Sequence, residues 1–183
     1  SDYFLQKIFD NLSNKKVLNI IKYNNKIKKR INININNYKD YLEKYSSIEI
    51  QIVPKNNISG YFINRDEKDE IYYHIYFNNV KEEIKRDYLK ENEQINIINI
   101  IIDYQVTSFK YLFNNCYCID FINFKKFYRN NITDMNAMFY GCSSLKKINF
   151  SNFNTNNVTD MGWMFYRCSS LEELNLSNFN TKN

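Results

Sequence analysis

The chain has 183 residues, 44% of them apolar and 17% aromatic, which is enough to bury the core of one domain or of two small ones. Three glycines and one proline exclude a collagen-like chain and a flexible Gly/Pro linker. The net charge of +5 comes mostly from residues 15–30, and the rest of the chain is close to neutral. No apolar run reaches the roughly 20 residues of a membrane span, so no membrane-spanning helix is predicted.

Residues 1–45 carry apolar side chains at helical spacing, which predicts two or three short amphipathic helices. The stretch LQKIFDNLSNKKVLNIIKYNNKIKKRI makes residues 3–31 resemble an F-box-like segment. This resemblance implies helices that dock on an adaptor of a ubiquitin ligase. The basic residues between Lys15 and Arg30 surround an apolar helical face, and Tyr23 is the only aromatic platform among them. That pattern favours a solvated face over nucleic-acid binding, with an acidic protein partner as the functional option.

Residues 46–104 are predicted to form a small mixed α+β unit. Apolar and polar residues alternate in four segments, as in half-buried strands. These segments are SIEIQIV at 47–53, ISGYFIN at 58–64, IYYHIYF at 71–77 and INIINIII at 95–102. Between the last two, VKEEIKRDYLKEN at 80–92 has helical character, with Glu82 and Arg86 as an i,i+4 pair. The last strand is expected to begin the sheet of the following repeats and to cover its first edge.

The C-terminal part, residues 105–183, is an internal repeat. Residues 131–156 and 157–182 share 17 identical residues in 26, and residues 105–130 are a degraded copy. The apolar framework recurs in all three copies. It includes the columns Val106/Ile132/Val158, Leu112/Met138/Met164, Phe113/Phe139/Phe165, Cys116/Cys142/Cys168, Phe124/Phe150/Leu176 and Phe127/Phe153/Phe179. A unit of this length cannot bury its apolar side alone, so the copies are predicted to stack.

Each repeat shows two periods. Leu145, Ile148 and Phe150 fit a short strand with inward apolar residues, and residues 158–168 have the spacing of a short helix or 3-10 segment. The predicted unit is therefore strand, turn, short helix, turn, with each strand joining a parallel sheet.

The unit NVTDMGWMFYRCSSLEELNLSNFNTK resembles the 26-residue repeat of BspA-like leucine-rich-repeat surface proteins, with its VTxMxxMF, CSSL and LxxLxLSNFxT elements. The resemblance implies a leucine-rich-repeat solenoid that binds other proteins or surface ligands. The expected fold class is therefore α+β: short N-terminal helices, a small mixed unit, then a solenoid with one short parallel strand per repeat. Arg167 stands where Gly141 is the family-like residue, which predicts strain in a tight turn.

The outward positions of the repeat strands are the candidate partner-binding residues. They are Lys146, Lys147, Asn149 and Ser151 in one repeat and Glu172, Glu173, Asn175 and Ser177 in the next. The framework is alike in the two copies, whereas KK becomes EE on this face, as expected of a face that selects a partner. The alternative is that the Lys and Glu side chains pair across neighbouring strands. Both can hold.

The four cysteines do not have metal-ligand spacing. Cys116, Cys142 and Cys168 are each 26 residues apart, so a buried ladder of small side chains is predicted rather than a disulfide or a zinc site. His74, the only histidine, lies in a predicted strand without a nucleophile motif beside it, which indicates a structural or surface role.

No catalytic set, metal site or cofactor is predicted. The sequence favours a non-enzymatic protein–protein interaction module. An F-box-like substrate-recognition subunit of a ubiquitin ligase and a secreted or cell-surface adhesin fragment are the alternatives. A cytoplasmic location is favoured over the cell surface. The identity of the protein partner and the oligomeric state are left open.

Overall fold

The computed structural model describes Lys26 and residues 43–180. The chain divides into two compact units, Ser1–Lys44 and Tyr45–Asn183, and all the elements below belong to the second. Apart from Lys26, the predicted N-terminal helices and the F-box-like residues 3–31, with the basic cluster that they contain, lie outside the described residues.

Seven strands and one 3-10 helix make up the second unit as described. In chain order they are β1 Ile48–Pro54, β2 Gly60–Tyr61, the 3-10 helix Glu67–Tyr72, β3 Tyr73–Phe77, β4 Tyr88–Leu89, β5 Ile98–Ile102, β6 Ile119–Lys126 and β7 Lys147–Asn149. The strands predicted at 47–53, 71–77 and 95–102 are confirmed as β1, β3 and β5. The segment predicted at 58–64 contains only the two-residue β2, which pairs with β4.

Five strands form the main sheet, in the order β3-β5-β1-β6-β7. The first three pairings are antiparallel and β6–β7 is parallel. Alternation of apolar and polar residues gives the sheet one buried face. One row of that face runs through the registers of four neighbouring strands, and its members are at most 1% exposed: Ile75, Ile100, Ile50 and Phe124.

The strand that joins the first repeat is β1, not the predicted β5. β1 pairs with β5 on one edge and with β6 on the other, so Ile50 lies opposite both Ile100 and Phe124. β5 cannot take the place of β1 because its second edge is occupied by β3. The edge of the repeats is therefore covered by β1, the first strand in chain order. It is not covered by β5, the strand that directly precedes the repeats in the sequence.

The predicted α+β class is wrong. The described residues of the second unit are mainly strands, turns and irregular segments, and the helical residues of the described chain are the six-residue 3-10 helix Glu67–Tyr72, a helical turn at 43–45 and Lys26. The helix predicted at 80–92 does not form, because this segment contains β4 and an isolated bridge from Ile84 to Ile75. Arg86 pairs with Glu93 at 2.6 Å instead of with Glu82.

The short helix predicted in each repeat is also wrong. The corresponding residues form consecutive turns, in which Tyr111, Ala137 and Trp163 have positive φ angles of 59°, 50° and 58°. A helix requires negative φ throughout, so a left-handed residue at the same position of every copy prevents one.

The predicted leucine-rich-repeat solenoid is contradicted as well. β6 has eight residues and β7 has three, and at the equivalent strand position the third repeat contributes the single bridge from Lys147 to Glu173. The parallel pairing thus shrinks from copy to copy instead of continuing as a regular parallel sheet. The repeats extend one side of a mainly antiparallel sheet.

Hydrogen bonds between the turn segments hold successive copies together. Every second N–H from Phe109 to Asn115 donates to a carbonyl of the second copy, as from Phe113 to Met138 O at 2.8 Å. The same pattern continues into the third copy, with Phe139 N–H donating to Met164 O at 3.0 Å. The predicted Phe113/Phe139/Phe165 column is confirmed, with stacked rings whose centroids are 5.5 and 5.6 Å apart.

Candidate functional site

Five of the predicted partner-binding residues line one depression at the end of the sheet. Its volume is about 610 Å³. Lys147, Asn149 and Ser151 come from the second repeat, and Glu173 and Asn175 come from the third. Phe121, Ile148 and Phe150 contribute apolar atoms to the lining. Lys147, Asn149 and Ser151 alternate along the chain with Ile148 and Phe150, so the three polar side chains are placed on the same side of the sheet. We call this depression the sheet-end surface.

The other three predicted residues do not line the sheet-end surface. Lys146 Nζ lies 2.8 Å from Asp120 Oδ1, and this hydrogen bond raises the pKa of Lys146. Glu172 is exposed, and its backbone N–H donates to the Lys146 carbonyl at 3.0 Å. Ser177 N–H donates to Asn175 Oδ1 at 3.0 Å, so Ser177 belongs to a turn of the third repeat, at the position equivalent to the end of β7.

The predicted charge pairing across the copies is confirmed for one pair. Lys147 Nζ lies 3.7 Å from Glu173 Oε2, and the two side chains are 62% and 78% exposed. Pairs this exposed contribute little to stability, because water and salt screen them and ordering two long side chains costs entropy. The Lys147–Glu173 pair is therefore expected to contribute little to the stability of the fold.

A row of amide side chains crosses the sheet and ends at this surface. Asn149 Nδ2 donates to Asn123 Oδ1 at 2.9 Å, and Gln51 Nε2 donates to Asn99 Oδ1 at 3.2 Å. The strand register places Gln51 opposite both Asn99 and Asn123. The row is half-buried, so it offers a continuous set of donors and acceptors along the open face of the sheet.

Sequence reasoning missed three members of this row, Gln51, Asn99 and Asn123. Asn123 has a detectable signal, because it stands 26 residues before Asn149 in the repeat alignment. Gln51 and Asn99 have none, since only the strand order brings β1 and β5 beside β6.

Two asparagines of the sheet-end surface also shape the turns beside it. Asn149 Oδ1 accepts hydrogen bonds from the N–H and the Oγ of Ser151 at 3.0 and 2.5 Å. Asn175 repeats the backbone part of this arrangement with Ser177. Such Asx turns end a strand by giving its last N–H groups a side-chain acceptor, which explains the Asn-x-Ser pattern in both copies.

His74 lies in β3, between two carboxylates. Its Nδ1 is 3.2 Å from Glu83 Oε1 and its Nε2 is 3.4 Å from Asp103 Oδ2. The half-buried position on a strand agrees with the structural role that was predicted. In the part of the chain that the structure describes, no group of three or more His, Cys, Asp or Glu side chains could hold a metal ion.

The cysteine column is confirmed as part of the core. Cys116 and Cys142 are buried and Cys168 is half-buried, and all three thiols are free. Cys142 Sγ donates to Phe113 O at 2.9 Å and Cys168 Sγ donates to Phe139 O at 3.0 Å, so each thiol reaches the preceding copy. Burial raises the pKa of Cys168 to about 11 and raises that of Cys142 further. Sequence reasoning did not predict these hydrogen bonds.

Residues 107–183 match the model of one protein family. Its description is "Mycoplasma protein of unknown function, DUF285". The match covers the repeats and leaves the N-terminal part of the chain outside it. It supports neither a leucine-rich-repeat nor an F-box assignment. No curated protein matches the chain, and no solved structure does. Among the described residues, no helix has the length and apolar character needed to cross a bilayer.

Proposed function

We propose that this protein is a non-enzymatic protein–protein interaction module that binds its partner through the sheet-end surface. The observation that supports this proposal most directly is the convergence of Lys147, Asn149, Ser151, Glu173 and Asn175 on one depression of about 610 Å³. These residues were selected from the sequence as outward positions of the repeat strands, and Lys147 and Glu173 are the equivalent positions among them that differ in charge.

The composition of the surface suits a protein ligand. A specific interface usually combines apolar surface with a polar rim, and here Phe121 lines the depression beside its strand partner, the exposed Lys147. The amide row extends the rim along the sheet with groups that both donate and accept. Opposite charges side by side favour a partner with the complementary arrangement over a uniformly charged polymer.

Charge reversal tests the proposal. The partner is first isolated by affinity purification from the native source, and its Kd is measured for the unmodified chain. We expect Lys147→Glu and Glu173→Lys each to raise the Kd by about tenfold, because like charges then face the complementary groups of the partner. The double exchange restores an internal pair but reverses its direction, and we expect binding to stay weak.

An ion pair far from this surface provides the matched control. Lys68 and Asp66 lie 2.8 Å apart and are 74% and 55% exposed, so exchanging them changes the same charges elsewhere. The control exchange should leave the Kd unchanged, and the variants at Lys147 and Glu173 should melt within a few degrees of the parent, whereas the control also loses the Asp66 N-cap of the 3-10 helix and should melt somewhat lower. The proposal fails if the reversals at 147 and 173 leave the Kd unchanged, or if they raise it no more than the control does.

A further inference from the structure

A second surface lies on the turn wall of the repeats. It is a groove of about 350 Å³, and its lining consists of three aromatic rings, two amides and one methyl group: Tyr111, Tyr140, Trp163, Asn114, Asn136 and Ala137. Tyr111 is 48% exposed and Trp163 is 64% exposed. Large aromatic side chains this exposed, on a surface with a defined cavity, are a feature of binding sites.

The groove results from a large-small-large alternation at one position of the repeat. Tyr111, Ala137 and Trp163 are 26 residues apart in turn, and all three have the same left-handed backbone. Ala137 is 3% exposed and forms the floor, while the rings of the first and third copies rise on either side. The repeat framework thus places an aromatic ring in the copy before Ala137 and another in the copy after it.

Tyr140 lines the groove, and its ring is supported by that of Tyr166 outside the groove. Tyr140 and Tyr166 have ring centroids 5.2 Å apart, and the ring of Trp163 meets that of Tyr166 edge to face at 5.1 Å. These contacts hold the rings in place before any ligand arrives, which reduces the entropy cost of binding.

The lining carries no charged side chain. The nearby carboxylates are already engaged: Asp134 Oδ1 accepts from Asn136 N–H at 2.8 Å, and Asp160 Oδ1 accepts from Gly162 N–H at 2.8 Å. The cation of Lys110 lies over the ring of Tyr111, with 5.2 Å to the centroid, and thus sits at the rim. The ligand segment that enters the groove is therefore expected to be uncharged.

We propose that this groove binds a proline-rich peptide in the polyproline II conformation. Neighbouring copies joined by backbone hydrogen bonds are about 5 Å apart, so equivalent atoms two copies apart are separated by about 10 Å. Three residues of a polyproline II helix advance about 9 Å. Prolines i and i+3 of a peptide that runs along the direction of stacking therefore meet Tyr111 and Trp163, and the residues between them pass over Ala137.

The polar groups of the groove match the same ligand. A polyproline II backbone makes no internal hydrogen bonds, so its carbonyls need donors. The indole N–H of Trp163 and the tyrosine hydroxyls supply donors beside the aromatic faces. The Asn136 amide donates to Asp160 at 3.2 Å and its backbone carbonyl accepts from Tyr111 N–H at 3.0 Å, so Asn136 shapes the groove without requiring a donor from the ligand. Aromatic grooves recognise proline-rich segments because this conformation is formed in advance and loses little entropy.

This inference is independent of the proposed function, because the two surfaces lie on opposite sides of the core. Phe139 of the turn wall packs against Phe150 of the strand wall at a centroid distance of 6.1 Å, so the core separates the groove from the sheet-end surface. A loss of binding at one surface does not require a loss at the other.

Fluorescence titration of the full chain with a decaproline peptide tests the proposal. Trp163 is the only tryptophan of the chain, so its emission reports directly on the groove. We expect a saturable shift of the emission to shorter wavelength, because the peptide removes water from the indole. A Gly/Ser peptide of equal length should cause no saturable change. Absence of a saturable change with decaproline would overturn the proposal.

Variants locate the binding by calorimetry. Tyr111→Ala and Trp163→Ala should each weaken decaproline binding about tenfold or more, because each removes an aromatic platform while keeping the Cβ and the backbone strain of the site. Tyr128→Ala is the control, since Tyr128 is 44% exposed and lies outside the groove. Equal loss in all three variants would contradict the assignment, and so would tenfold loss in the control alone.

A neutral oligosaccharide is the competing ligand for aromatic rings and amides. The same titration is therefore run with maltohexaose and chitohexaose. Saturable binding of an oligosaccharide without binding of decaproline would overturn the proposal in favour of a sugar site. Charge reversal at Lys147 or Glu173 should leave the decaproline affinity unchanged, and this separates the outcome from that of the proposed function.

Discussion

Asn115, Gly141 and Arg167 occupy one position of the repeat and share a left-handed backbone, with φ angles of 54°, 72° and 61°. Glycine adopts this conformation without a steric penalty, and asparagine tolerates it. For arginine the Cβ clashes with the backbone, at a cost of about 1–2 kcal/mol. The strain predicted at Arg167 is therefore confirmed by its backbone angle.

Exchanging the residues at this position should have opposite effects in two copies. A Cβ on Gly141 would collide with Asn115 Oδ1, so Gly141→Ala combines a clash with backbone strain, and we expect it to lower the free energy of unfolding by about 1–3 kcal/mol. Arg167→Gly relieves the backbone strain of the folded state but increases the conformational entropy of the unfolded chain. We therefore expect it to raise the free energy of unfolding by between zero and about 1 kcal/mol. Urea denaturation measures both. A clear loss in Arg167→Gly would show that the contact of Arg167 with the Tyr166 ring outweighs the strain.

The cysteine column is expected to be chemically inert near neutral pH. Burial raises the pKa of the Cys168 thiol from 9.0 to about 11, and it raises that of the deeper Cys142 further. Since the folded state holds these protons more tightly, the stabilisation is complete below the pKa of the unfolded thiol and is lost as the pH rises through about 11. Iodoacetamide labelling with mass spectrometry should therefore modify Cys168 first as the pH increases. Modification of Cys142 ahead of Cys168 would contradict this.

At the scale of elements, the first repeat is closed by Asn64, which follows β2. Its N–H donates to Leu112 O at 2.7 Å, and its Nδ2 donates to Asn114 O at 2.7 Å. In later copies the equivalent carbonyls accept from the turn segment before them, so Asn64 supplies the donors that a preceding copy would otherwise provide. This is how a non-repeat segment ends the repeat stack.

Removing that side chain should leave carbonyls of the first copy without a donor. We expect Asn64→Ala to lower the free energy of unfolding by about 1–2 kcal/mol, the cost of half-buried acceptors that lose their partner. Asn56→Ala is the matched control, because Asn56 is exposed, and its effect should stay within about 0.5 kcal/mol. Equal effects of the two substitutions would show that water replaces Asn64 as the donor.

Element prediction from sequence succeeded where one face of an element is buried and failed where neighbouring copies decide the backbone. β1 alternates buried and half-buried residues over its whole length, and its sequence shows the same alternation. In the turn segments the apolar spacing is also compatible with a helix. There, N–H groups such as that of Ala137 donate to the next copy, at 2.8 Å to Gly162 O, rather than to their own segment. The apolar spacing within one copy does not show whether its N–H groups bond within their own segment or to the next copy.

At the scale of the molecule, one sheet crosses the boundary that was predicted at residues 104 and 105. β1 and β6 pair from Glu49 to Pro54. The buried side chain of Arg129 donates from Nη1 to Asp103 O at 2.7 Å, and burial lowers its pKa to about 10. The repeats therefore depend on residues that precede them for a strand partner and for the hydrogen bond of a buried guanidinium.

Dissection at this boundary should abolish the fold of the repeats. We expect residues 105–183 alone to show no cooperative thermal transition by far-ultraviolet circular dichroism, because β6 loses β1 and the apolar face beneath it is exposed to water. Residues 45–183, which include the whole sheet, should melt cooperatively and serve as the control. A cooperative transition of the shorter fragment would show that the repeats are an independent domain.

The sequence by itself determined the repeat length, the apolar columns, three of the main strands and the exposed positions that differ in charge, because these depend on periodicity along the chain. The F-box-like and adhesin alternatives stay predictions. Only the tertiary structure decided the strand order, the turn conformation of the repeats and the amide row of Gln51, Asn99 and Asn123. It also brought Tyr111 and Trp163 to the two sides of Ala137. These features arise from hydrogen bonds and packing between distant segments, whose pairing depends on the free energy of the whole sheet rather than on local preference.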